Sequence, residues 1–265
     1  MQKLTGQDLA TGGAGERPNR LPLLLATVVT LALWYVPYSN YLLYPLRLFV
    51  TFIHESGHAI AGLATGLGVS SLHVRPDGSG VTWVGSSIVW DWLTISGGYV
   101  GAALFGAVLL LSSRVGRPGN AGKIALYATS AYILVITVLW ARNPFSNPGS
   151  PTPDFFTPIV GVVLSGGLFC LARLAPARWA EFAASFLAVQ CALNALSDLR
   201  TLLYLTSGGF GDNDAVFMAR EYPAPAVAWA VLWAIMAMAI LGSSLWVYLR
   251  GPQAARNRAR GVSAT

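Results

Sequence analysis

The sequence is poor in charge. Only 11% of its 265 residues are Asp, Glu, Lys or Arg, whereas 54% are hydrophobic. A soluble domain carries about 25% charged residues, so this composition excludes an ordinary soluble fold, and its hydrophobicity excludes a disordered chain. The net charge of +6 does not indicate nucleic acid, because the arginines stand mostly between apolar runs, where they meet lipid head groups. We therefore expect the lipid bilayer as a partner and no nucleic acid.

Cysteine is also scarce. Cys170 and Cys191 are the two cysteines of the sequence, and both stand inside apolar stretches. Two isolated cysteines exclude a disulfide framework and a zinc site built from closely spaced thiolates.

Long apolar runs dominate what is present. A membrane-spanning helix needs about 20 apolar residues, and suitable runs lie near 22–39, 43–66, 92–113, 123–141, 156–175, 180–206 and 226–249. They predict an all-α polytopic membrane protein with about six to seven transmembrane helices. We expect residues 22–249 to form a single membrane-embedded domain, residues 1–21 a flexible N-terminal tail and residues 250–265 a basic C-terminal tail.

A short segment after the second apolar run has a different pattern. Val69, Leu72 and Val74 precede the sequence Pro-Asp-Gly-Ser-Gly at 76–80, and a partial alternation of apolar residues resumes after it. Turn residues between two alternating stretches predict a β-hairpin. His73 falls in its first strand, where we expect a surface side chain.

Ionisable residues are distributed unevenly among the predicted spans. Five of the seven have none in their interiors, and the exceptions are 43–66 and 180–206. An ionisable group in a bilayer helix costs free energy and normally faces a partner or a wet cavity. The two exceptional helices are therefore expected to face each other.

The first of these helices contains the sequence His54-Glu55-Ser56-Gly57-His58. Residues four apart lie on one helix face, so His54 and His58 can offer imidazole nitrogens to one metal ion. Glu55 lies about 100° around the helix, beside the metal, where a carboxylate can act as general base for a zinc-activated water. A rival interpretation is that these are buried polar residues that hold helices together by hydrogen bonds.

A catalytic zinc usually has three protein ligands and an open position. The second exceptional helix has a polar stripe of Gln190, Asn194 and Asp198, and Asp198 is the carboxylate well inside it, which makes it the leading third-ligand candidate. The rival interpretation of this residue is an ion pair with Arg200 or a helix-end residue at the membrane interface. Asp212 and Asp214, in the Gly-rich loop predicted at 207–214, are second choices because loop aspartates more often form turns.

At these residues the chain resembles the site-2-protease-like zinc metallopeptidases of peptidase family M50, most closely the small bacterial M50B-like branch. The features that carry the resemblance are the zinc motif within 52–59, the hairpin turn at 76–80, the sequence Ser-Gly-Gly-Tyr-Val-Gly at 96–101, and Asn194 with Asp198 in a late helix. The zinc motif within a membrane helix is the specific part.

The resemblance implies an intramembrane zinc metallopeptidase of a bacterial inner membrane, with a membrane protein or peptide as substrate. His54, His58 and Asp198 would bind Zn²⁺, Glu55 would be catalytic, and Asn194 would hold the substrate backbone. The alternative is a non-catalytic membrane binding protein, either a pseudo-protease or a protein that handles metal or protons, which retains the His/Asp cluster.

Overall fold

The computed structural model describes residues 21–33, 39–112, 120–141, 143, 153–205 and 213–250. The side chains of residues 22, 31, 33, 39, 40, 192, 194–205, 249 and 250 are outside that description. The predicted tails, apart from their innermost residues 21 and 250, also lie outside the described residues, so the flexibility expected of them stays a prediction.

The described part of the chain is mostly helical, as the sequence predicted. The helices are α1 (Leu21–Leu33), α2 (Ser39–Leu42), α3 (Tyr44–Ala64), α4 (Asp91–Ser112), α5 (Ala121–Ile136), α6 (Phe156–Leu174), α7 (Ala177–Leu205), α8 (Asp214–Glu221) and α9 (Ala226–Arg250). Strands β1 (Val69–Val74) and β2 (Gly80–Val84) lie between α3 and α4, and a π-helical turn, Thr137–Ala141, extends α5. Within the described residues each of the seven apolar runs overlaps a helix, and the first run, 22–39, does so in α1 over residues 22–33.

Four helical segments of the described residues are long and apolar enough to cross a membrane: Asp91–Ser112, Ala121–Ala141, Phe156–Leu174 and Ala226–Tyr248. The protein is therefore a membrane protein by the length and composition of its helices. The larger number of six to seven spans stays a prediction.

The predicted β-hairpin is confirmed. β1 pairs with β2 in antiparallel register, and the turn between them passes through Gly78 at φ 81°, a conformation that favours glycine. The first turns of α3 hold this hairpin turn: the Tyr44 hydroxyl donates to the Pro76 carbonyl at 2.6 Å, and the Thr51 hydroxyl donates to the Gly78 carbonyl at 2.8 Å. The hairpin therefore lies along α3.

The expectation that His73 is a surface residue is wrong. Its side chain is buried, with 1% of the residue exposed, and its Nδ1 lies 2.7 Å from Asp154 Oδ2. The reason is that β1 is covered by the start of α6, where the Thr157 hydroxyl accepts a hydrogen bond from the Val74 amide. A two-stranded sheet has no second layer of its own, but here α3 and α6 enclose its first strand.

Glycines allow α3 and α4 to pack closely. A Cβ added at Gly57 would collide with the backbone carbonyl of Gly97, and one added at Gly101 would lie 2.9 Å from the Gly57 Cα. Small residues at such a crossing are typical of membrane helices. The close approach brings the backbone of α4 against α3, the helix that carries His54 and His58.

A small apolar cluster holds α8 against α4 and α9. Met218 of α8 is fully buried together with Trp233 of α9, and Tyr99 of α4 stacks on Trp233 with 4.6 Å between ring centroids. This packing fixes the N-terminus of α8 beside α4. The packing of α8 against α4 and α9 brings a distant part of the chain close to α3.

Candidate metal centre

His54 and His58 lie one turn apart on α3 and are both buried, with 9% and 8% of each residue exposed. Their Nε2 atoms are 3.1 Å apart and their rings are nearly perpendicular. The spacing therefore places both imidazoles on one helix face, as the sequence predicts.

A carboxylate from α8 completes the cluster. Asp214 Oδ2 lies 3.0 Å from His54 Nε2 and 3.3 Å from His58 Nε2. Asp214 is the first residue of α8, and the preceding Asn213 caps the helix by accepting a hydrogen bond from the Val216 amide. Burial alone would raise the pKa of Asp214, but the two histidines outweigh this and hold the pKa below its ordinary range.

The hydrogen bond on the far side of His58 decides which of its nitrogens faces the cluster as an acceptor. Nδ1 lies 2.7 Å from the Thr94 carbonyl, which can only accept, so Nδ1 carries the proton and donates. In the neutral ring Nε2 is then an acceptor that faces a second imidazole nitrogen and a carboxylate oxygen. His54 Nε2 also lies 3.0 Å from the same carboxylate oxygen, so the three atoms make three contacts. One shared proton satisfies one of these contacts, whereas a metal cation satisfies all three.

The geometry of the three atoms fits a metal ion. Ligands at about 2.1 Å around a tetrahedral ion lie about 3.4 Å from one another, and the three separations here are 3.0, 3.1 and 3.3 Å. Two imidazoles and a carboxylate are also a ligand set that zinc accepts. Among the described residues, His54, His58 and Asp214 form the group of side chains that could hold a metal.

Gly98 of α4 forms a wall of this site. A Cβ added there would lie 2.5 Å from His58 Nε2 and still closer to His54 Nε2. The backbone of α4 thus lies directly against the two imidazole nitrogens.

Glu55 is buried on α3 beside the cluster, with 5% of the residue exposed. It interacts electrostatically with His58, His54 and Asp214, and its Oε2 accepts a hydrogen bond from the Thr82 hydroxyl at 2.7 Å. A buried carboxylate next to a metal site is positioned to accept a proton from water.

The remaining predicted site residues are not tested by the structure. Asn194 and Asp198 belong to α7, but their side chains lie outside the described residues, as does the whole of Asp212. Residues 207–212 of the loop predicted at 207–214 lie outside the described residues, and its last residue, Asp214, begins a helix instead. Asp214 was a second choice by sequence, and the structure places it at the histidines.

Sequence reasoning missed the contacts that orient the site. The Thr94 carbonyl and the Thr82 hydroxyl have no motif of their own, and nothing in a single sequence shows that they face His58 and Glu55. The start of α8 did have a signal: Asn213 followed by Asp214 and an apolar stretch is the pattern of an N-cap with an acidic first turn. That pattern would have separated Asp214 from the turn-forming aspartates.

These features define a helical membrane protein in which two buried histidines and a half-buried carboxylate could hold a metal ion, with a buried glutamate beside them. A family model described as Peptidase M50B-like matches residues 24–244. Since this match covers most of the 265 residues, the chain belongs to the Peptidase M50B-like family. A search of the curated proteins found no match, and neither did a search of the solved structures.

Proposed function

We propose that this protein is an intramembrane zinc metalloprotease of the site-2-protease type, which hydrolyses peptide bonds in or near membrane-spanning segments. The observation that carries the proposal is the convergence of His54 Nε2, His58 Nε2 and Asp214 Oδ2 within 3.3 Å of one another beside the buried Glu55. Membership of a peptidase family supports the same reaction class. The bacterial inner membrane is its proposed location.

His54, His58 and Asp214 are the proposed zinc ligands. Asp198, the leading candidate by sequence, is the alternative third ligand. A zinc ion held by these residues would supply Lewis-acid chemistry, polarising the scissile carbonyl and acidifying a water molecule. The Thr94 carbonyl orients His58 by accepting its Nδ1 proton, which is the usual role of an outer hydrogen-bond partner of a ligand histidine.

Glu55 is the proposed general base. Its carboxylate accepts the proton of the attacking water and then donates it to the leaving amine, so one side chain serves both proton transfers. Because the residue is buried among protein atoms, bulk water screens its carboxylate less. Its electrostatic interaction with the reacting groups is therefore stronger.

The proposed substrate is a membrane protein or peptide. A helical segment hides its backbone bonds, so it must unwind locally before it is cut, and an unwound segment needs new hydrogen-bond partners. The hairpin is a two-stranded sheet whose second strand contacts Glu55, so an added substrate strand would lie close to the site. Asn194 is proposed to hold the substrate backbone.

The test compares wild type, Glu55→Gln and His54→Ala, each purified and reconstituted in liposomes. Zinc content is measured by inductively coupled plasma mass spectrometry. Cleavage is measured on tagged single-span reporter proteins with helix-breaking residues in their spans. We expect Glu55→Gln to keep zinc and to lose cleavage by at least about 100-fold. His54→Ala should lose both zinc and cleavage.

Each contrary result has a definite meaning. Cleavage by Glu55→Gln at the wild-type rate would refute the proposed mechanism. Zinc in a wild-type protein that cuts no reporter would favour the non-catalytic binding protein, and a wild-type protein without zinc would leave only the interpretation of buried polar residues that hold helices together.

A further inference from the structure

The general base is held by the β-hairpin as well as by its own helix. Thr82 of β2 places its hydroxyl oxygen 2.7 Å from Glu55 Oε2 and 3.0 Å from the Glu55 backbone carbonyl oxygen. A hydroxyl has one proton to donate, and the carboxylate oxygen is the closer and more strongly accepting partner. Nothing in the proposed chemistry uses this hydroxyl directly.

One face of β2 follows α3 over two helical turns. Alternate strand residues share a face, so Gly80, Thr82 and Val84 point the same way. A Cβ added at Gly80 would collide with Glu55 Oε1, and one added at Gly62 would lie 2.5 Å from Val84 Cγ1. Because Glu55 and Gly62 are seven residues apart on α3, they too lie on one face.

The two surfaces therefore fit each other around one carboxylate. Gly80 leaves room for Oε1, and Thr82 donates to Oε2, so both oxygens of Glu55 lie against β2. A long flexible side chain loses conformational entropy when it is held in this way. Contacts with β2 offset this entropy cost when the protein folds, so the carboxylate is already ordered before substrate binds.

We propose that Thr82 is a positioning residue for Glu55, whose hydroxyl fixes the carboxylate in the orientation required for proton transfer. This inference rests on the proposed function of the site. A carboxylate has about four lone-pair positions, so one hydrogen bond leaves others for the attacking water. Misplacing a catalytic group by about 1 Å can cost roughly 100-fold in rate.

The test uses Thr82→Val and Thr82→Ser on a reporter that the wild type cleaves. Valine keeps the shape of threonine and removes the hydroxyl, whereas serine keeps the hydroxyl. We expect Thr82→Val to lower kcat by roughly 10- to 100-fold, the effect of losing a hydrogen bond to a charged group, with little change in KM. Thr82→Ser should restore most of kcat.

Thr51→Val is the matched control. The Thr51 hydroxyl also connects α3 to the hairpin, because it donates a hydrogen bond to the Gly78 carbonyl at 2.8 Å. This hydrogen bond does not involve Glu55. If Thr82 acts only by attaching the hairpin, both valine variants should lose kcat equally. If Thr82 positions the base, Thr51→Val should retain kcat within about threefold of wild type, because the hydrogen bond lost in that variant does not involve the Glu55 carboxylate.

Zinc content and melting temperature are measured on every variant. The inference requires Thr82→Val to bind zinc like the wild type and to lose kcat. An unchanged kcat in Thr82→Val, or no rescue by serine, overturns the inference while the proposed function stands. A wild-type protein that cleaves no reporter overturns both, so the two failures are distinguishable.

Discussion

Gly98 shows how closely the backbone of α4 approaches the metal cluster. Any side chain at this position would occupy space that the Nε2 atoms of His54 and His58 now face. We expect Gly98→Ala to displace one or both imidazoles and to lower zinc affinity by at least about 10-fold, because ligand geometry sets affinity. Equilibrium dialysis against a zinc buffer measures this change.

Gly166→Ala is the control for that substitution. Gly166 is also a helical glycine, in α6, but an added Cβ there would meet nothing within 4 Å. Its replacement by alanine should leave zinc affinity unchanged and should favour the helix slightly. Equal zinc binding by both variants would show that the imidazoles do not need the space above Gly98.

The residues of the candidate site differ in how far the sequence could predict them. His54, Glu55 and His58 share one helical turn, and the helical period alone relates their directions. Asp214 lies 160 residues after His54, and its place depends on how Met218 and Trp233 pack α8 against α9. Such packing leaves no local pattern, which is why the polar stripe that includes Asp198 was the stronger sequence signal.

At the scale of elements, a buried polar junction fastens the hairpin to α6. Asp154 Oδ1 accepts from the amides of Phe156 and Thr157, and Asp154 Oδ2 pairs with His73 Nδ1 at 2.7 Å. The carboxylate therefore caps the helix and anchors the strand at the same time. Burial alone would raise the pKa of Asp154, but the bonds from Thr157 and His73 outweigh it and hold that pKa below its ordinary value.

This junction gives the protein an acid-sensitive contact. A carboxyl group whose pKa is lowered by folding stabilises the protein above its unfolded pKa of about 3.9, and this contribution is lost as the pH falls through the lower folded value. We expect the melting temperature of the wild type to fall steeply below about pH 4. Asp154→Asn should melt at a lower temperature at neutral pH and show a shallower decline in acid.

Asp77→Asn is the comparison for this measurement. Asp77 also has a lowered pKa, held by its hydrogen bonds to Ser79, but its carboxylate is exposed and bonds within its own turn. Its replacement should leave most of the acid sensitivity in place. An acid decline in Asp154→Asn as steep as that of the wild type would show that the junction does not contribute.

Elements were predictable where their signal was local. The hairpin followed from alternation around a turn sequence, and β1 and β2 confirm it. The surroundings of its strands were not predictable, since burial of His73 depends on α6, which begins more than 80 residues later. An alternating strand shows which residues share a face, but it does not show what covers each face.

For the whole molecule, the candidate metal cluster joins distant parts of the chain. Two of its members are on α3 and the third begins α8, so the three ligand atoms meet only in the folded protein. A ligand that binds only the folded state raises stability by about 2.7 kcal/mol at 100 times its dissociation constant. Zinc should therefore raise the melting temperature of the wild type, and a chelator should lower it.

The same linkage distinguishes the two candidate third ligands. Asn has the shape of Asp but is a poor zinc ligand, so the substitution that removes a true ligand should abolish most of the zinc-dependent rise in melting temperature. Because Asp214 Oδ2 already lies within 3.3 Å of both imidazole nitrogens, we expect Asp214→Asn to lose the rise and Asp198→Asn to keep it. Thermal denaturation in detergent, with and without zinc, measures both. The reverse result would assign the ligand to α7 and would leave Asp214 as a hydrogen-bond partner that orients the histidines.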